Sequence, residues 1–168
     1  ISSEFPKSIF NMPISESGML GLATGIALNG KMCILEVMFS DFLSQCADQL
    51  IHQVSKIPSI YSQEIKIPLV IRAASGSGAG YGPTHSHTLE SILVGLPNLM
   101  VASVNPYSNY AHILEFARLS GTPTLIFEPK VFYPDSPANL FEDEYDVIEP
   151  SSAFDLAEIT PKHVPPSS

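Results

Sequence analysis

The chain predicts an open, mostly parallel α/β sheet with helices on both faces. Three observations carry that prediction. Short apolar runs of strand length alternate with helical stretches at least three times along the chain. The apolar runs are continuous, as in strands buried on both sides. A glycine-rich segment follows one strand and precedes a helix, the arrangement found at the carboxyl end of such a sheet.

Residues 16–29, "ESGMLGLATGIALN", read as a helix entered through Pro13 and Ser15, with Ser15 as its N-cap. Gly18, Gly21 and Gly25 each cost such a helix about 1 kcal/mol relative to alanine, which predicts a face packed closely against another backbone or a ligand. Residues 32–38 read as a buried strand. Residues 40–57 place Phe42, Leu43, Cys46, Ala47, Leu50, Ile51 and Val54 on one stripe, an amphipathic helix with Ser40 or Asp41 as its cap. Strands follow at 67–73, 99–104 and 124–128, with a short helix at 88–95 and a helix opened by Pro106 and running to about Leu119. From Pro134 onward, prolines and acids replace periodicity, so the domain is expected to occupy 1–133 and an acidic linker or docking tail 134–168.

The net charge of −9 sits mostly in that tail, where eight acids face one lysine. No basic patch with interleaved aromatics exists, which argues against a nucleic-acid partner. No apolar run is long enough to span a bilayer, which argues against a membrane one. Cys33 and Cys46 lie in apolar segments and predict two buried thiols, consistent with a cytoplasmic location.

The loop "AASGSGAGYGPTHSHTLES", residues 73–91, fails the dinucleotide fingerprint because Tyr81 stands where the third glycine is needed. It also lacks the Lys-Ser or Lys-Thr of a phosphate-binding loop. His85 and His87 without a nearby third ligand make a poor metal site, so no metal ligands are assigned in this chain. A mobile surface loop and an active-site wall both remain open on composition alone. Its place at a strand end favours a wall, since glycines let backbone approach a ligand closely.

Taken in order, "NMPISESGMLGLATGIALNG", "LEVMFSDFLSQCADQLIHQVSK", "IPLVIRAASGSGAGYGPTHSHTLES" and "GTPTLIFEP" resemble the beta subunit of thiamine-diphosphate-dependent 2-oxoacid dehydrogenases. The resemblance covers residues 11 to about 130 and lies in that subunit's pyrimidine-binding domain, shared in outline with transketolase. It implies that Glu16, in "PISE", hydrogen-bonds a ring nitrogen of the cofactor's aminopyrimidine. That contact would favour the imino tautomer, whose nitrogen takes the thiazolium proton. Without the resemblance, Glu16 is a first-turn glutamate complementing the helix dipole. The resemblance further implies that Phe42 stacks on the pyrimidine, that Met38 and Gln45 line the same pocket, and that His85 stabilises charge on the substrate. Phe42 also begins the apolar stripe of its helix and serves equally as core.

Three departures accompany the resemblance. The family's front strand and helix and its C-terminal domain have no counterpart here, the usual "HSQ" is "HSH" with His87 third, and Ser120 replaces an acid near a potassium site. The Gly-Asp-Gly segment that holds magnesium and diphosphate is not in the sequence. The resemblance therefore implies half of a site: thiamine diphosphate shared with an alpha-type subunit or domain that holds the magnesium, in a hetero-oligomer acting on a small 2-oxoacid or ketose donor. The alternative is a non-catalytic assembly or docking module that kept the fold.

Overall fold

In a computed structural model, the chain describes residues 2–133 apart from 63, 79 and 107, together with the backbone of 145–148 and 158–161. The elements in chain order are helix α1 (Glu16–Leu28), strand β1 (Cys33–Val37), helix α2 (Ile57–Ile60), strand β2 (Leu69–Ser75), helix α3 (Glu90–Leu93), strand β3 (Met100–Ser103), helix α4 (Tyr110–Ser120) and strand β4 (Thr124–Pro129). A 3-10 segment (Ser40–Cys46) and a π-helical segment (Gln49–Val54) lie between β1 and α2. The four strands form one parallel sheet in the order β1-β2-β4-β3. This is the expected architecture.

Both faces are covered. Leu35, Val37, Leu69, Ile71, Ala73, Leu125 and Phe127 point toward α1 and the segment after β1, where they meet Leu20, Ala27, Leu43, Cys46 and Leu50. Val70 and Ile126, one residue out of phase, pack against Ile113 and Ala117 of α4. Alternate residues of one strand thus enter opposite cores, which is why the central strands are mostly apolar, with Arg72 of β2 and Glu128 of β4 as a charged pair. Each fully buried leucine, isoleucine or phenylalanine contributes about 1.5–3 kcal/mol.

Several local expectations are corrected. The stretch 40–54 is helical and buries Leu43, Cys46, Leu50 and Val54, but its backbone winds tightly and then loosely instead of as one α-helix. The bond from Ser55 N–H to Leu50 O (3.0 Å) spans five residues. Neither Ser40 nor Asp41 caps it; the N-cap residue is Phe39, and both polar side chains reach instead to His87. Ser15 has the extended backbone of an N-cap but makes no side-chain cap bond. A Cβ on Gly21 or Gly25 would meet nothing within 4 Å, so the close packing expected of those glycines is not made among the described residues. Pro106 does not open α4. Asn105 and Ser108 close a turn through two 3.0 Å bonds, and Asn109 caps the helix by accepting from His112 N–H at 3.1 Å.

Helix α4 ends at Gly121, whose φ of +68° and bond to Ala117 O (3.1 Å) form a left-handed cap. The Gly121 carbonyl then accepts from Ile67 N–H at 2.7 Å, tying the helix end to the lead-in of β2. Of the two cysteines, Cys46 is buried and Cys33 half-buried; both are free thiols. Within the tail, strands β5 (Tyr145–Ile148) and β6 (Glu158–Pro161) pair antiparallel. The rest of the expected linker at 134–168 lies outside the described residues. Among the described residues, no helix is long and apolar enough to cross a membrane.

Candidate active site

Parallel register decides what meets at the carboxyl end of the sheet. Val37 of β1 is in register with Ala73 of β2, and Ser75 at the end of β2 with Pro129 at the end of β4. The segments leaving these three strands therefore emerge side by side. They carry Phe39 and Phe42 after β1, Tyr81, His85 and His87 after β2, and Lys130 after β4.

All of these except His87, whose ring pairs with Asp41, form one cluster. The Phe39 ring meets His85 edge-on at 4.8 Å between centroids, Tyr81 at 5.4 Å and Phe42 at 5.9 Å. Phe42 also meets His85 edge-on at 5.3 Å. Such edge-to-face pairs are favoured by the ring quadrupole. Lys130, only 5% exposed, lies 4.9 Å from the Phe39 centroid and 5.6 Å from that of Tyr81, and its ammonium donates to the His85 carbonyl. Among the described residues no carboxylate pairs with it. Ring faces and a carbonyl hold this buried cation.

The glycine loop is tied down by named bonds. Gly76, Gly78, Gly80 and Gly82 all have positive φ, a conformation that side-chain-bearing residues rarely adopt. Gly76 N–H donates to His87 O (3.1 Å), Ser86 Oγ to Gly82 O (2.7 Å), and His85 N–H to Gly82 O (3.3 Å). Thr84 Oγ1 and His85 Nδ1 are 2.9 Å apart. The half-buried His85 ring is held by Thr84 and the two phenylalanine rings, and its backbone by Gly82 and Lys130.

Glu16 opens α1 and is 9% exposed, yet no described residue hydrogen-bonds its carboxylate. Its neighbour is Cys46, on the 3-10 segment that also carries Phe42. Burial, with a contribution from the Glu16 charge, pushes the Cys46 thiol up to about 11. Met38 (58% exposed) and Gln45, also exposed, stay at the surface of this chain. The structure thus joins Phe42 and His85 directly, places Glu16 near Cys46 on the segment that also carries Phe42, and draws neither Met38 nor Gln45 into the ring cluster. Phe39, Tyr81 and Lys130 are additions that periodicity does not signal; only their places at strand ends mark them.

Behind the cluster, on the α4 face of the sheet, Glu128 organises a second network. Arg72 donates to it twice (Nε and Nη2, both 2.9 Å), Tyr110 Oη at 2.6 Å and Tyr133 Oη at 2.9 Å. Burial alone would raise the Glu128 carboxyl, but the Arg72 and tyrosine bonds outweigh it and hold it below its usual range. Burial and the nearby Glu128 charge push Tyr133 up to about 12.

Comparison with known proteins places this geometry in a family. The profile for "Transketolase, pyrimidine binding domain" matches residues 2–136. The chain is 31% identical over 140 residues to the acetoin:2,6-dichlorophenolindophenol oxidoreductase subunit beta of Bacillus subtilis, covering 83% of this chain and 40% of that protein. It is 34% identical over 138 residues to the pyruvate dehydrogenase E1 component subunit beta of Chaetosphaeridium globosum, covering 82% and 42%. A solved split-gene transketolase, an inactive beta4 tetramer, shares the fold with a TM-score of 0.63 at 22% identity, covering 87% of this chain and 46% of that one. The chain spans about two fifths of the length of these curated relatives. With "PISE" at the head of α1 and His85 at the carboxyl end of the sheet, the chain belongs to the transketolase pyrimidine-binding domain family.

Proposed function

We propose that this chain is the pyrimidine-side half of a thiamine-diphosphate site in a 2-oxoacid dehydrogenase or transketolase-like enzyme. The observation that carries the reading is Glu16: a largely buried residue at a helix start whose carboxylate takes no hydrogen bond from any described residue. Its oxygens are not among the fully buried unpartnered atoms, so they stay open to accept from a ligand. An aminopyrimidine ring nitrogen is a partner of the right kind, and the aromatic residue on the neighbouring segment, Phe42, suits a flat heterocycle.

Thiamine diphosphate, when bound, supplies a nucleophilic thiazolium carbon that adds to a donor carbonyl. The roles of this chain's own residues follow from their placement. Glu16 orients and polarises the pyrimidine and holds a proton at its ring nitrogen. Phe42 stacks on the ring, and Met38 and Gln45, exposed here, complete the pocket edge beside a partner. His85, its ring held by Thr84, Phe39 and Phe42, faces the reacting carbon and stabilises charge on substrate oxygen. The relatives named as beta subunits support a hetero-oligomer in which an alpha-type chain or domain holds diphosphate and magnesium. Apolar surface at Phe10 (74% exposed), Ile14 (80%) and Leu22 (50%) supports a partner as well.

Calorimetric titration of thiamine diphosphate with magnesium tests the reading. The chain alone should bind weakly. Adding a chain that carries the Gly-Asp-Gly segment should give tight, magnesium-dependent binding, because two half-sites joined far exceed either one. Equally tight binding by the chain alone, or none with the partner, would overturn it.

A further inference from the structure

Immediately before Phe42 and two residues past His85 stand two side chains that form a pair of their own. The Asp41 side chain is 7% exposed, whereas the His87 side chain is 62% exposed. Asp41 Oδ1 accepts from the His87 backbone N–H at 3.3 Å and is hydrogen-bonded to His87 Nδ1. The other oxygen, Oδ2, is buried without a hydrogen-bond partner among the described residues. The His87 backbone is held separately, its carbonyl accepting from Ser40 Oγ (3.0 Å) and Gly76 N–H (3.1 Å). Loop position is thus secured by other bonds, and the Asp41 carboxylate sets the ring.

The chemistry of the pair follows from this asymmetry. Burial alone would raise the Asp41 carboxyl, but the bonds from the His87 ring and amide outweigh it, so Asp41 stays ionised. An ionised acceptor at Nδ1 demands a proton there, which leaves the lone pair of a neutral ring on Nε2. The ring belongs to a side chain that is 62% exposed, and no described group hydrogen-bonds Nε2. The other titratable groups nearby are His85 on the same loop, Glu90 at the start of α3, and Lys130, which is committed to the His85 carbonyl.

We propose that Asp41 and His87 form a second acid–base pair in this site, with Asp41 positioning the ring and His87 Nε2 meeting a substrate hydroxyl. This rests on the function proposed above and selects a donor class within it, the 2-hydroxy ketones. A 2-oxo acid loses carbon dioxide without giving up a hydroxyl proton. A 2-hydroxy ketone must give one up, on the carbon next to its carbonyl, before that carbon can leave as an aldehyde. In that step the O–H bond breaks and an Nε2–H bond forms, while the oxygen lone pair becomes the new C=O bond. The bonding pair of the broken C–C bond would stay with the former carbonyl carbon, where thiamine diphosphate, when bound, would supply the electron sink. The proton on Nε2 is later returned to the product, and nothing is oxidised.

Two measurements decide the matter. In the full chain, long-range nitrogen–proton correlation spectra of labelled histidine should show the neutral His87 ring protonated on Nδ1 and bare on Nε2. Asp41→Asn should abolish that preference, with an unchanged melting temperature showing that the fold survives. A mixed tautomer in the unaltered chain would overturn the pair, and this readout needs neither cofactor nor partner. In the enzyme assembled with its partner, acetoin and pyruvate serve as 2-hydroxy ketone and 2-oxo acid probes. His87→Gln should lower the ratio of kcat/KM for acetoin over pyruvate by roughly 10²-fold, the size of a general acid–base contribution. His85→Ala should depress both donors together. An unchanged ratio in His87→Gln would overturn the substrate assignment. Turnover of neither probe by the unaltered assembly would sink the function proposed above and the substrate assignment with it, while the tautomer measurement would still decide the pair.

Discussion

Replacing Glu128 by glutamine keeps the side-chain shape and removes the charge that four donors share. Two of those bonds come from one guanidinium, so Arg72 would lose its bidentate anion and keep only Glu36, 3.7 Å away and 71% exposed. Breaking a fully buried ion pair by removing one partner costs about 3–5 kcal/mol. Arg72 is 38% exposed and recovers part of that from water, so the expected loss is about 2–3 kcal/mol. Urea unfolding of the full chain at pH 7 would read it as a lowered midpoint. The pH dependence adds a sharper test. Because the folded-state Glu128 carboxyl lies below its ordinary 4.5, its stabilisation is fully present above that value. It is lost as pH falls through the depressed value, so the gap between the two proteins should close there. The tyrosines behave oppositely. Tyr133 is raised from 10.0 to about 12, so its contribution is intact below 10 and fades as pH rises toward 12. Replacing Arg72 and Glu128 together by methionine and leucine should recover most of the loss, since no buried charge is then stranded. A glutamine variant within about 0.5 kcal/mol of the parent, or a gap that persists unchanged to pH 3, would show that the network does not hold the sheet as argued.

Three further outcomes are expected. Glu16→Gln in the assembled enzyme should leave the melting temperature unchanged and slow exchange of the thiazolium proton into deuterated water by roughly 10²-fold or more; an unaltered exchange rate would remove Glu16 from cofactor activation. His85→Ala should lower turnover by roughly 10²–10⁴-fold while calorimetry finds cofactor affinity less affected, and a silent His85→Ala would mean that another group stabilises the developing charge. Gly121→Ala puts a Cβ 2.5 Å from Lys66 Cβ at a φ of +68°; left-handed strain and overpacking together should cost about 2–4 kcal/mol in urea unfolding.

What the sequence made legible was whatever leaves a local trace. Continuous apolar runs marked β2 and β4, because strands buried on both faces have no polar side to show. The stripe Leu43, Cys46, Leu50, Val54 marked a helical, half-buried segment. It could not say that the backbone there winds tightly and then loosely, since burial fixes which side chains face inward and leaves the hydrogen-bond ladder free. Ser40 and Asp41 looked like caps because their residue types suit that task locally. Their real partner, His87, lies more than 40 positions away, a distance that only strand register bridges. Lys130 escaped notice for the same reason, as did the partnership of Arg72 with Glu128 across β2 and β4. The roles of Glu16, Phe42 and His85 came from motif resemblance rather than periodicity, and Met38 and Gln45, placed in the pocket on that same ground, lie at the surface of this chain.

The side-by-side emergence of three strand ends also has a kinetic meaning. The bonds that build the cluster join residues 45 and 46 positions apart, and the Arg72–Glu128 pair spans 56. Each such contact requires long-loop closure before any compensating interaction forms. Helix α1, by contrast, needs only neighbours along the chain. The sequence separations therefore order the events of folding: helices first, then the pairing of β2 with β1 and β4, and the ring cluster with its lysine last. An intermediate lacking β4 would lack the Lys130 bond to the His85 carbonyl and the cation against the Phe39 and Tyr81 rings. The protection of His85 in the course of refolding would then serve as a clock for completion of the sheet.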